Sequence, residues 1–314
     1  MNELILHHYP TSTFSEKVRL ILGHKGLPWK SVVIPRVMPK PDLVALTGGY
    51  RKTPVLQIGA DIYCDTALIC DVLEHARSTP TLYPPHNKGA ARLIAQWADS
   101  TLFWTAMAYN FSPRGAAQMF ADGPPDTAKV FAQDRAKMRI AVPRVRPADA
   151  AAAYRSYLRR LANMLETQPY LLGQEACVAD FAAYHPLWFT RHCTSVMADI
   201  LDATPAVLAW MDRMAAIGGA RAESLSADEA VAIAARSTPV ALHDAVFQDE
   251  HGIALGSQVT VASDSFGPEP STGELVAATR MHYTLRRVDE RAGTVHVHFP
   301  RIGYVLQAAG VPCA

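Results

Sequence analysis

The 314-residue sequence predicts an α/β domain, then an all-helical domain, then a small β-rich extension. Three features of the chain point there. Within roughly the first 80 residues the pattern reads β-α-β-α-β-β-α. A polar, proline-rich linker over 76–87 closes that block, and the apolar spacing beyond it is helical. From Pro239 onward, short strand-like runs separated by Gly and Pro turns take over. The corresponding domains are expected at 1–78, 86–222 and 223–314.

Each element has a local reason. Leu4-Ile5-Leu6 is a short apolar run ended by the turn-prone Pro10-Thr11-Ser12. From Ser15 to Lys25, Val18, Leu20, Ile21 and Leu22 alternate with Glu16, Lys17 and Arg19 at helical spacing, and Gly26 stands where a C-terminal cap belongs. Trp29 to Ile34 is rich in β-branched residues and reads as a strand. A proline-punctuated connection follows, with a short helix at Asp42–Leu46. The runs 53–58 and 62–64 flank Gly59-Ala60-Asp61, a hairpin signature. Asp65-Thr66 then opens an apolar helix through Leu73. Helices are expected at 88–111, 126–140, 148–166, 178–191, 204–216 and 227–236, with loops in the proline-bearing stretch 112–147. Strands are expected at 259–261, 273–286 and 294–299.

Composition narrows the function classes. Lys plus Arg number 30 against 29 Asp plus Glu, so no global field favours nucleic acid or an anionic membrane. The five cysteines, at 64, 70, 177, 193 and 313, form no CxxC and no paired framework, a reducing-compartment pattern. The N-terminal MNELILHHYP carries no secretory features, and the chain reads as cytoplasmic. GxSxG, GxGxxG and the P-loop are absent, so serine hydrolase and nucleotide-binding readings lack an anchor.

Three local features carry chemistry. The first is the turn His8-Tyr9-Pro10-Thr11-Ser12-Thr13-Phe14-Ser15-Glu16-Lys17-Val18-Arg19, which places a hydroxyl at the start of a helix. An anion bound there meets the positive end of the macrodipole, and a hydroxyl donor stabilises it further. The second is Lys52-Thr53-Pro54-Val55, a proline opening a strand to which it cannot donate. The third is Asp65-Thr66 at a helix start, a suitable pair for an ammonium and a carboxylate.

In these motifs and their spacing, residues 3 to about 218 resemble the cytosolic glutathione transferases. The first block is similar to their thioredoxin-like half, and the helical block to their second domain. The resemblance implies that Ser12 activates the glutathione thiol, with Tyr9 a rival donor. It implies a cis peptide before Pro54, with the Thr53 backbone holding the cysteinyl part of the tripeptide. Lys52 falls near the glycyl carboxylate, where Arg51 or Lys40 are substitutes, and Asp65 and Thr66 fall at the γ-glutamyl end. The implied ligands are glutathione and an apolar electrophile, the implied assembly a homodimer, and no metal is called for. A non-catalytic binding or scaffold protein on the same fold is the alternative.

Other residues read as structure. Cys177-Val178-Ala179-Asp180 resembles the family's buried capping box with a cysteine in place of the usual hydroxyl, a half-intact cap. His296 and His298 share a strand face, with His282 as a possible third imidazole; they read as half-exposed sheet histidines. Adjacent His192 and Cys193 point in different directions on a helix, which argues against a nucleophile pair. The aromatics Trp97, Phe103, Trp104, Tyr109 and Phe111 read mostly as core, with one or two at a pocket. The β extension is open to three roles: covering the pocket, enlarging a dimer interface or recruiting a partner.

Overall fold

The computed structural model describes residues 3–142, 145–242 and 246–310; Pro143 and Cys313 lie outside them. The first block is β1 (Ile5–His8), α1 (Thr13–His24), β2 (Trp29–Val33), α2 (Pro41–Thr47), β3 (Val55–Ile58), β4 (Asp61–Cys64) and α3 (Thr66–Ala76), the order read from the sequence. β1 pairs with β2 in parallel and with β3 antiparallel, and β4 lies antiparallel beyond β3. Buried side chains of α1 and α3 then meet the helical domain in one large core, centred on Trp210, Tyr154 and Phe181.

The helical domain comprises α4 (Lys88–Trp97), α5 (Phe103–Asn110), α6 (Pro113–Met119), α7 (Thr127–Met138), α8 (Pro147–Met164), α9 (Val178–Trp188) and α10 (Pro205–Ala216). A π-helical turn over Ala98–Leu102 divides what the spacing presents as one helix from 88 to 111. α6 occupies part of the stretch read as loops, because its Pro113 sits at the first turn, where proline is tolerated. The acidic half of the expected capping box is in place at Asp180. Asp180 Oδ2 accepts the Cys177 N–H at 3.0 Å and the thiol at 3.3 Å, while Oδ1 accepts Trp210 Nε1–H at 2.9 Å.

The extension holds β5 (Ala222–Ser224), α11 (Ala227–Arg236), β6 (Gln258–Ser263), β7 (Ser271–Ala278), β8 (His282–Asp289), β9 (Gly293–Pro300) and β10 (Tyr304–Ala308). The run 273–286 is two strands, folded back at Thr279, whose Oγ1 accepts the Met281 and His282 N–H groups at 3.2 Å. These strands do not close on themselves. β9 pairs in parallel with β4, giving one ten-stranded sheet in the order β10-β6-β7-β8-β9-β4-β3-β1-β2-β5. A second core, from Ile5, Val55 and Ile62 to Leu285, Val297 and Phe299, runs unbroken from the first block into the extension.

The join is also polar. His298 is buried rather than half-exposed: its Nε2 lies 2.9 Å from Asp61 Oδ1 on β4, and its Nδ1 lies 2.9 Å from Thr284 Oγ1. Asp61 is distant in sequence, so no local spacing announces this pair.

Candidate active site

β1 ends at His8, and the chain turns so that the Ser12 N–H donates to the Tyr9 carbonyl at 3.1 Å. Ser12 then caps α1 in an extended conformation, its Oγ accepting the Ser15 N–H at 3.2 Å. The cap uses an oxygen lone pair, so the hydroxyl proton stays free to be donated. Ser12 therefore holds a donor at the positive end of a twelve-residue helix. Tyr9 Oη instead accepts from Arg135 of α7 at 3.4 Å.

The Thr53–Pro54 peptide bond is cis. Thr53 Oγ1 accepts from Lys40 Nζ at 3.3 Å, and the same ammonium donates to the Arg51 carbonyl at 3.2 Å. Burial, with the charges of Arg135 and Arg51, pulls the Lys40 pKa down to about 8. Arg51 is committed to Asp134 at 3.0 Å and Glu269 at 2.8 Å.

Asp65 caps α3 with φ at +76°, a left-handed conformation uncommon outside glycine, and its Oδ1 accepts the Ala67 N–H at 2.9 Å. Thr66 opens the helix, and its Oγ1 accepts from Lys17 Nζ at 3.2 Å. Lys17 is buried under the site. It pairs with Asp99 at 2.5 Å, whose other oxygen lies 3.0 Å from His185 Nε2. Burial disfavours the Lys17 charge, yet Asp99 outweighs it and the pKa lies above the ordinary lysine value. Burial likewise opposes the Asp99 charge, and Lys17 and His185 hold its pKa below the usual carboxylate range.

These motifs meet in a cavity of about 1020 Å³. Its wall includes all seven residues singled out from the sequence: Tyr9, Ser12, Lys52, Thr53, Pro54, Asp65 and Thr66. Lys40 and Arg51 reach it as well. The facing wall carries aromatic rings, with Phe103, Trp104 and Phe111 lining it beside the polar Asp99 and Ser100, while Trp97 and Tyr109 pack against the core. Thr11 Oγ1, also on a lining residue, is a buried atom without a hydrogen-bond partner. A third wall comes from the extension, through Ser263, Phe266 and Tyr304. Phe266 stands edge-on to Trp104 at 4.9 Å between ring centroids.

Sequence reasoning missed Lys17, Asp99, His185 and the extension residues. For Lys17 a signal existed, since Phe14, Lys17, Val18 and Ile21 follow an i, i+3, i+4, i+7 stripe. Tyr304 and Ser263 carry no such signal, because only the β4–β9 pairing brings them to the cavity. Cys193 is partly buried, and burial pushes its thiol up to about 11, away from nucleophile behaviour. Among the described residues no group of three or more His, Cys, Asp or Glu is arranged to hold a metal ion, and no helix is long and apolar enough to cross a membrane.

Comparison with known proteins identifies the family. Residues 6–81 match the glutathione S-transferase N-terminal domain, and residues 136–217 match the C-terminal domain. A GST-like protein from Pseudomonas syringae is 41% identical, with a TM-score of 0.82 over 98% of this chain and 100% of that one. A glutathione S-transferase from Rhodospirillum rubrum F11 shares the fold at 18% identity and a TM-score of 0.51, over 68% of this chain and 87% of that one. FtsZ-localized protein A of Caulobacter vibrioides is 24% identical over 186 residues, 58% of this chain and 74% of that protein. The chain belongs to the glutathione S-transferase family.

Proposed function

We propose that the chain is a glutathione-dependent transferase of the serine type. One observation carries this reading: a capping hydroxyl, the Thr53-Pro54 turn and an Asp-Thr helix start share one cavity with an aromatic wall. The γ-glutamyl ammonium goes to Asp65 and its carboxylate to Thr66 and the start of α3, with Lys17, its charge met by Asp99, donating to Thr66 Oγ1 from behind so that the hydroxyl proton is free for the ligand. The Thr53 backbone holds the cysteinyl unit. Lys40, beside Thr53, supplies charge for the glycyl carboxylate; Lys52, expected there from the sequence, has its ammonium 3.9 Å from Asp65 Oδ2 and so serves the γ-glutamyl end.

The sulfur then lies at the start of α1, where the Ser12 O–H and the helix terminus favour the thiolate. Each unit of thiol pKa lowering requires about 1.4 kcal/mol of preference for the anion, within reach of these two effects together. The thiolate attacks an electrophilic carbon of an apolar molecule seated against Phe103, Trp104 and Phe266. A carbon–sulfur bond forms, and the displaced electron pair leaves with the departing group or moves into the substrate's π system. Proximity supplies most of the remaining acceleration. Thr11 Oγ1, buried and unpartnered, supports a polar ligand at this end of the cavity. The same reading makes the chain a cytoplasmic homodimer engaged in detoxification.

Calorimetry tests it. Glutathione is expected to bind at or below millimolar concentration, and the folded chain is expected to conjugate it to an aromatic electrophile. Folded protein that binds no glutathione would favour a second reading, a binding or scaffold member of the family. The likeness to FtsZ-localized protein A motivates that alternative, and co-sedimentation with FtsZ filaments measures it directly.

A further inference from the structure

Tyr304 reaches the cavity from the last strand of the extension. Its ring is buried, and its hydroxyl lies 3.0 Å from Asp65 Oδ2 and 3.4 Å from the Tyr50 hydroxyl. A phenol has one proton to donate. The shorter contact and the formal charge assign that proton to Asp65, leaving Tyr50 to donate to Tyr304. Asp65 thus has one oxygen fixed by the Ala67 N–H and the other by a side chain 239 residues away.

Lys52 strengthens the arrangement. Its ammonium lies 4.6 Å from the centre of the Tyr304 ring, 3.9 Å from Asp65 Oδ2 and 3.2 Å from Ser263 Oγ, the last on β6 of the extension. Two side chains of the extension therefore hold the two charged groups at one end of the cavity. A carboxylate offers about four lone-pair sites, so the two bonds it already accepts leave room for an ammonium.

We infer that the extension completes the thiol-peptide site, with Tyr304 acting as a positioning residue that orients Asp65 for an α-ammonium group and so selects γ-glutamyl thiol peptides over shorter ones. This inference rests on the glutathione reading above. Tyr304 touches Asp65 and not the reacting sulfur, so its effect falls on recognition of the glutamyl arm.

Two thiol peptides separate the possibilities. Glutathione carries the γ-glutamyl arm; cysteinylglycine has the same thiol and glycine without it. Tyr304→Phe keeps the buried ring and removes one hydroxyl. It should weaken glutathione binding roughly tenfold, the scale of a hydrogen bond to a charged group, and change cysteinylglycine binding less than about twofold. On an Asp65→Asn background the same substitution should weaken glutathione binding little further, because the two residues act through one contact. Equal losses for both peptides would reduce Tyr304 to a structural role and overturn the inference. An unchanged glutathione affinity would also overturn it, while leaving the glutathione reading standing. If the native chain binds neither peptide, both fall together.

Discussion

Lys17 Nζ on α1 and Asp99 Oδ2 of the helical domain form an ion pair 2.5 Å apart, roofed by the Thr66 hydroxyl. Only 1% of the lysine side chain and 19% of the Asp99 side chain are exposed, so removing the lysine charge leaves a mostly sheltered carboxylate with His185 as its remaining partner. Lys17→Met is expected to cost about 3 kcal/mol of stability, the low end for breaking a buried pair. A Lys17→Met/Asp99→Leu double variant should regain much of that loss. Denaturant unfolding measures both, and a single-variant cost below about 1 kcal/mol would contradict a stabilising interdomain pair.

The amino-terminal histidines make stability depend on acid. His7 is fully buried against Gln57 at 2.9 Å, and burial lowers its pKa to about 4. The unfolded chain takes up that proton near the ordinary value of about 6.5, before the folded chain does. Stability should therefore be complete above about pH 6.5 and erode as pH falls toward about 4, by about 3 kcal/mol from this residue. His7→Gln should flatten that part of the unfolding-versus-pH curve. An unchanged slope in the variant would show that other groups carry it.

Asp180 collects donors from three parts of the helical domain. Beyond the Cys177 and Trp210 contacts, its Oδ1 accepts the Leu171 N–H at 2.8 Å. Asp180→Ala strands three buried N–H groups and should cost about 3 kcal/mol or more. Cys177→Ser supplies the oxygen that helix caps prefer and should stabilise by roughly 0.5 to 1 kcal/mol. Thermal unfolding of the two variants should move in opposite directions.

Much of the site is legible in the chain, for reasons that differ by residue. Ser12, Thr53-Pro54 and Asp65-Thr66 are local motifs, each readable from its own turn or cap, and the cavity gathers all of them. The order of the first seven elements is legible because their periodicities change at clear Gly and Pro boundaries. Lys17 escapes such a reading because a charged side chain suggests the solvated face, although its stripe position points inward. The continuity of the extension with the first sheet leaves no local trace. The Asp61–His298 and Asp65–Tyr304 contacts join residues more than two hundred positions apart, and no local pattern encodes such a register.

The aromatic wall predicts how specificity divides. Phe266 touches Trp104 and lines the cavity. Phe266→Ala should raise KM for an aromatic electrophile roughly three- to tenfold, the scale of a lost aromatic pair. Glutathione affinity should stay the same. Steady-state kinetics with each substrate varied in turn distinguishes this outcome from a general loss of folding.

The thiolate itself gives the most direct measurement. Ultraviolet absorbance of protein-bound glutathione, followed against pH, reports the fraction ionised. The native chain should ionise the bound thiol at least about one unit below the ordinary cysteine value near 8.5. Ser12→Ala should return it toward that value while glutathione still binds, and Tyr9→Phe should leave it in place. A titration unmoved by Ser12→Ala and shifted by Tyr9→Phe would contradict thiol activation by the hydroxyl at the start of α1.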